Sequence, residues 1–141
     1  MNEVLSMSYL QKYADKYKAV LYVVFRVLVG GVFMIHGAQK LFGWLGGQKV
    51  PELMSLMGAA GVIEFFGGLL VLLGLFTRLA ALVSGVEMLV AFFMVHFPNG
   101  WNPVANKGEA ALLYFAAFLV LFVYGNQKWN VEQSLLGKET F

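Results

Sequence analysis

The chain has 141 residues, of which 60% are apolar and only 13% are charged. Soluble domains carry about 25% charged residues, so this composition predicts a single-domain integral membrane protein. The net charge of +2 is too small to indicate a nucleic acid partner. Cysteine is absent, which excludes disulfide bonds, thiolate metal sites and thiol–disulfide catalysis by this chain.

Residues 1–18 form a polar leader ahead of the first apolar run. Tyr9, Tyr13 and Tyr17 recur at helical spacing with lysines between them, a pattern typical of an amphipathic helix on the membrane surface. A short soluble extension of the first span explains the same residues, so both interpretations stay open. No small-residue cleavage site follows the first apolar run, and we expect that run to remain as a membrane anchor.

Four apolar windows are candidates to cross a bilayer as helices, and the fourth of them is short. A span takes about 20 residues, because a helix rises ~1.5 Å per residue and the hydrocarbon layer is roughly 30 Å thick. The predicted spans are 19–42, 56–76, 79–97 and 109–124. They define an all-α, integral membrane four-helix bundle within residues 19–125. Thr77 and Arg78 are predicted to form the tight turn after the second span, and 126–141 a cytoplasmic tail.

The distribution of basic residues predicts the direction of the spans. More lysines and arginines fall beside the leader, the Arg78 turn and the tail than on the other side of the bundle. By the positive-inside rule, both termini are predicted to be cytoplasmic. Trp44, Trp101 and Trp129 follow the ends of predicted spans, where indole rings prefer the headgroup layer.

Ionisable residues in the first three spans share a face with the small residues of the same span. At 100° per residue, Arg26 and Lys40 align on the first span with His36 at the edge of their stripe. Glu64 and Glu87 lie among glycine, alanine and serine on the next two spans. Small residues let membrane helices approach closely, so these faces are predicted to look into the bundle.

The buried ionisable residues allow two interpretations. An ionised group in the middle of a bilayer costs about 2.5 kcal/mol or more. Mutual neutralisation would pair Arg26 with Glu87, which lie at similar depth, and leave Glu64 protonated. A polar cavity that binds a ligand or relays protons is the alternative, because that pairing leaves one acid over. His96 lies about 180° from Glu87 on an ideal helix, so no haem or metal site with His36 is predicted.

Several stretches resemble the DoxX family over about residues 20–125. They are "HGAQKLFG" in the first span, "IEFFGGLLVLLGLFTRLAA" in the second, "HFPNGW" in the third loop, and "GEAALLYFAAFLVLFVYG". The resemblance implies a small four-helix protein of a prokaryotic plasma membrane. Similar proteins include membrane subunits of quinone-linked oxidoreductases, such as thiosulfate:quinone oxidoreductase and terminal quinol oxidase. It therefore implies quinone as a cofactor and a redox partner subunit as the source of electrons.

On this resemblance we predict a quinone site formed by ionisable residues of the first three spans. In this hypothesis Arg26 fixes the two acids, Glu64 and Glu87 relay protons, and His36 or Lys40 contacts a quinone carbonyl. Two alternatives remain open beside it. The protein is then either a non-catalytic membrane scaffold that recruits partner proteins, or a small-solute or proton pathway formed by a homo-oligomer.

Overall fold

The computed structural model describes the backbone of residues 2–140 and the side chains of residues 9–140. Its α-helices are α1 (Asn2–Phe42), α2 (Leu56–Leu73), α3 (Thr77–Ala91), α4 (Glu109–Tyr124) and α5 (Val131–Leu136). No strand occurs among residues 2–140. Three helices are long and apolar enough to cross a membrane, and α4 is a shorter apolar helix. The predicted all-α membrane bundle is confirmed.

Helix α1 joins the leader and the first span into one unbroken helix of 41 residues, roughly 60 Å long. Residues 9–18 are exposed along their whole length. A helix that crosses the bilayer lies along the membrane surface only after a kink, and a sharp kink needs a break in the helix. No break separates the leader from the first span in the described backbone, which is the arrangement expected of an extension of that span.

The turn between α2 and α3 lies at residues 74–76, before the predicted position. Gly74 ends α2 in the left-handed conformation (φ 66°) that favours glycine. Phe76 precedes α3 with a φ of 49°. Thr77 and Arg78, predicted as the turn, are instead the first two residues of α3.

Helix α3 passes at Ala91 into a π-helical turn, Phe92–His96, followed by the 3₁₀ turn Phe97–Asn99. A π-helical turn holds more residues than an α-helical one, so the side chains that follow it are rotated about the axis. His96 therefore lines the same cavity as His36. The ideal helical projection placed His96 about 180° from Glu87, and the departure from α-helical geometry just before Pro98 brings it to the cavity instead.

Glycines on α1 and α2 allow the two helices to cross at close range. A Cβ atom at Gly30 would lie 2.5 Å from the Leu72 nitrogen and 2.8 Å from the Gly68 carbonyl oxygen. This contact confirms that the small-residue faces of the first two spans look into the bundle. Helices α1 to α4 pack around an apolar core, which consists of Phe33, Val71, Ala80, Ala81, Met88, Phe92, Ala111, Phe118 and Leu121.

Replacing Gly30 with alanine should destabilise the bundle by about 1–3 kcal/mol, because the new methyl group meets backbone atoms that have no room to move. Gly31→Ala is the matched control, since a Cβ there lies 3.3 Å from the flexible end of the Leu72 side chain. Thermal melting of both variants in the same detergent measures the difference. Equal melting temperatures would contradict the importance of this crossing.

Candidate functional site

Arg26 binds the segment that follows the last span. Its guanidinium is 2% exposed and donates to the carbonyl oxygens of Asn126 at 2.5 Å, Lys128 at 3.1 Å and Trp129 at 2.7 Å. These neutral acceptors match the planar donors of the guanidinium. The predicted pairing of Arg26 with Glu87 is wrong, and Arg26 does not line either cavity described below.

A polar network extends this contact to the turn between α2 and α3. The Asn126 amide donates to Glu132 Oε2 at 2.6 Å and accepts from the Thr77 hydroxyl. The Glu132 backbone N–H donates to the Gly74 carbonyl at 3.1 Å. Residues 126–140 therefore pack on the bundle, whereas the sequence predicted a tail from residue 126 onward. Residue 141 of the predicted tail lies outside the described residues.

The ion pair of the membrane region joins α1 to α2. Lys40 Nζ donates to Glu64 Oε1, and the Glu64 residue is only 3% exposed. Mutual neutralisation thus occurs, but between different partners from those predicted. Lys40, one of the two residues predicted to contact a quinone carbonyl, thus pairs with Glu64 and also lines the polar cavity described below. The second carboxylate oxygen, Glu64 Oε2, has no hydrogen-bond partner among the described residues.

Helix α3 brings Glu87 and Ser84 to the same region. Glu87 Oε2 and Ser84 Oγ are also buried without a hydrogen-bond partner in the described part of the chain. Glu87 interacts electrostatically with Glu64 and Lys40. Gly67 of α2 makes room for this approach, because a Cβ atom there would lie 2.5 Å from Ser84 Oγ.

A polar cavity of about 180 Å³ lies on one side of these acids. Its lining residues are Phe33, His36, Lys40, Glu64, Met88, Ala91, His96, Ala110, Ala111 and Tyr114. His36 is exposed at its rim, with the Tyr114 ring edge-on at 6.0 Å between centroids. His96 Nδ1 lies 3.1 Å from the Asn106 carbonyl oxygen. A carbonyl only accepts, so Nδ1 carries the hydrogen and Nε2 of the neutral ring is left as an acceptor.

An apolar groove of about 410 Å³ runs between α2 and α3 on the other side. Among its lining residues Glu87 is the single ionisable one; the rest are Leu56, Met57, Ala59, Ala60, Ile63, Leu82, Val83, Val86, Val90, Ala91, Met94 and Val95. Several of them, including Leu82 and Val86, are about half exposed on the bundle surface. In a bilayer that surface faces lipid, so the groove is open to lipid-soluble molecules.

Of the predicted site residues, His36, Lys40 and Glu64 come together at the polar cavity, and Glu87 lies next to them at the groove. Sequence reasoning missed Ser84 and Tyr114 as members of the site and rejected His96. An apolar span offers no signal that separates Tyr114 from the core aromatics. The rotation of His96 follows from a π-helical turn, which an ideal helical projection does not contain.

Comparison with known proteins identifies the class of this bundle. The DoxX family model matches residues 21–97. The chain is 39% identical to an uncharacterized protein of Haemophilus influenzae, over 79% of this chain and 87% of that protein. It is 31% identical to the inner membrane protein YqjF of Escherichia coli, over 80% of this chain and 90% of that protein. The chain belongs to the DoxX family and is a multi-pass plasma membrane protein.

A third relative carries a name that refers to chemistry. The chain is 32% identical to a Bacillus subtilis protein named "Putative oxidoreductase CatD", over 52% of this chain and 58% of that protein. No solved structure matches the chain at a comparable level of significance. The site described above therefore rests on the geometry of this chain alone.

Replacing Arg26 with glutamine should release residues 126–140 from the bundle. The change leaves buried carbonyl oxygens without donors, at about 1–3 kcal/mol each. Limited proteolysis should then cut beyond Gly125, and the melting temperature should fall. Lys128→Gln is the control, because the Lys128 side chain is exposed. Equal protection from the protease in both variants would contradict the role of Arg26 as an anchor.

A double-mutant cycle tests the ion pair of α1 and α2. Lys40→Met alone should destabilise the protein by about 3–5 kcal/mol, because it leaves the buried Glu64 carboxylate without its partner. Glu64→Gln should cost less, because the Lys40 side chain is partly exposed and Glu87 lies close enough to compensate its charge. The double variant should recover most of the loss seen in Lys40→Met. Melting of the four proteins gives the coupling energy, and additive losses would mean that Lys40 and Glu64 do not interact.

Proposed function

We propose that the protein is a quinone-interacting subunit of a membrane redox assembly. The observation that carries this proposal is the position of Glu87. Its carboxyl group is the ionisable group on the wall of the lipid-facing groove, and its Oε2 atom is buried without a partner among the described residues. An intramembrane acid that is not neutralised by a neighbour indicates a functional site.

The groove suits the head of a lipid-soluble quinone. Its walls are aliphatic side chains of α2 and α3, which favour burial of an apolar ring, and small residues such as Ala59 and Ala60 leave space for it. In the protonated form Glu87 donates a hydrogen bond, and a quinone carbonyl accepts one. A bound quinone supplies the capacity to take up two electrons and two protons.

The residues beside the groove supply a route for protons. Glu64 lines the polar cavity and interacts electrostatically with Glu87, which lines the groove. The two acids therefore connect the groove to that cavity. Lys40 holds Glu64 in place through the ion pair. His36 is exposed at the rim of the polar cavity, where it exchanges protons with water. It does not contact the ligand in the groove.

The electrons come from a partner subunit in this proposal. The chain contains no cysteine, so it cannot provide a thiol or disulfide as electron donor. The name of the Bacillus subtilis relative, "Putative oxidoreductase CatD", is consistent with a role in redox chemistry. The chain therefore acts as a subunit and not as an enzyme on its own.

A membrane scaffold is the second candidate function. Residues 9–18 of α1 are exposed and project as a helix beyond the bundle. A projecting helix with three tyrosines and several lysines offers a surface for a soluble partner. A scaffold function needs no ligand in the groove, so measurement of bound quinone separates the two candidates.

Protein purified gently from its native membrane should carry quinone at about one molecule per binding site, and Glu87→Gln should lose most of it. Ala60→Phe should lose it as well, because the larger ring fills the groove without a change of charge. Glu109→Gln is the control, since Glu109 is an exposed acid at the start of α4. Mass spectrometry of the co-extracted lipids measures the quinone, and thermal melting shows that each variant is folded.

The two variants give distinct outcomes. Loss of quinone in Glu87→Gln and Ala60→Phe, but not in Glu109→Gln, supports binding in the groove. Equal quinone in all four proteins would mean that the quinone is carried by the surrounding lipid. Absence of quinone from the unaltered protein would leave the scaffold as the better function.

A further inference from the structure

Three buried oxygen atoms lie unpaired where α2 meets α3. They are Glu64 Oε2, Ser84 Oγ and Glu87 Oε2, and none has a hydrogen-bond partner among the described residues. Ser84 is fully buried and Glu64 is 3% exposed. A buried polar atom without a partner costs about 1–3 kcal/mol. Three of them at one place indicate that something with positive charge or with hydrogens to donate binds there.

The helix register brings these oxygens together. Glu64 and Gly67 are three residues apart on α2 and share a face, as do Ser84 and Glu87 on α3. Ser84 Oγ occupies the space above Gly67, where a Cβ atom would come within 2.5 Å of it. Glu87 in turn interacts electrostatically with Glu64. The absence of a side chain at position 67 thus lets Ser84 approach α2, and Glu64 and Glu87 lie about one helical turn away on α2 and α3.

The charges around this cluster do not balance. With both acids ionised, Glu64 and Glu87 carry two negative charges and Lys40 supplies one positive charge through its ion pair. The other titratable groups that line the adjoining cavity are His36, His96 and Tyr114, and none of them forms an ion pair with either acid among the described residues. One negative charge is left in the membrane region, where an uncompensated ion is costly.

We propose that Glu64, Ser84 and Glu87 form a binding site for a single positive charge, either a sodium ion or a proton. Carboxylate and hydroxyl oxygens are the ligands that hard cations prefer. A sodium ion would take all three oxygens as ligands, together with water from the polar cavity. A proton would be bound to one carboxyl group, which would donate a hydrogen bond to the other. The proposal goes beyond quinone binding and stands whether or not a quinone occupies the groove.

The Ser84→Ala variant distinguishes a bound sodium ion from a bound proton. A sodium site loses one of its ligands in Ser84→Ala, so its affinity should fall by about tenfold, which corresponds to ~1.4 kcal/mol. A proton shared by two carboxyl groups needs no third oxygen, so Ser84→Ala should leave it in place. Ser134→Ala is the matched control, because Ser134 is exposed on α5.

A hydrophobic carbodiimide tests the site, because it reacts only with protonated carboxyl groups and reaches the lipid-facing groove. The full chain in detergent is treated at neutral pH in sodium-free choline chloride, and mass spectrometry of peptides measures the label on Glu87. We expect Glu87 to be labelled, because the cluster then holds a proton. Glu64→Gln removes the excess negative charge, so labelling of Glu87 at neutral pH should fall by about tenfold or more.

Replacing choline chloride by sodium chloride at equal ionic strength identifies the cation. Suppression of the label by sodium, weakened in Ser84→Ala but not in Ser134→Ala, assigns a sodium ion. Labelling that sodium does not change assigns a proton. An unlabelled Glu87 in sodium-free buffer at neutral pH, or a label that is unaffected by Glu64→Gln, would overturn the proposal. A quinone in the groove would shield Glu87, so the label is measured on protein that has been delipidated in detergent. The result then does not depend on whether the protein binds quinone.

Discussion

A charge in the membrane region of this chain needs a partner, either within the chain or as a bound ligand, because the hydrocarbon layer offers no water to solvate it. That constraint explains the positions of the strongest polar contacts. Lys40 pairs with Glu64 across α1 and α2. Arg26 is enclosed by backbone carbonyl oxygens of the segment that follows α4. Glu87 is the acid whose neutralisation no described side chain supplies.

The contact of Arg26 also determines the shape of the C-terminal segment. Gln127 and Trp129 both adopt left-handed conformations, with φ values of 56° and 50°. Such conformations cost about 1–3 kcal/mol each in residues other than glycine. The turns they produce bring the carbonyl groups of the segment to the guanidinium, and the charge-assisted hydrogen bonds offset the strain. A single arginine in the first span thus orders residues that are about 100 positions away in the chain.

The sequence was sufficient to predict the helices, because apolar runs of the necessary length and glycine-rich faces follow from local periodicity. The start and end of α4 agree with the predicted window. The partners of the charged side chains were less predictable. Arg26 and Glu87 have opposite charges and similar depth, but the acceptors of Arg26 are backbone carbonyls, which every residue carries and no pattern marks. The π-helical turn that reorients His96 is equally invisible to a projection with a constant 100° per residue.

Glu64 and Glu87 lie where two different environments of the bundle meet, the apolar groove and the polar cavity. The groove is apolar and open to the lipid side, whereas the cavity contains the polar groups of His36, His96 and Tyr114. Ala91 lines both, so the wall between them is thin at this level of α3. A carboxyl group in such a wall changes its charge according to what it meets on each side. Glu87 lines the groove and Glu64 lines the polar cavity, so under the proposed function these two acids couple a molecule in the lipid to protons or cations from water.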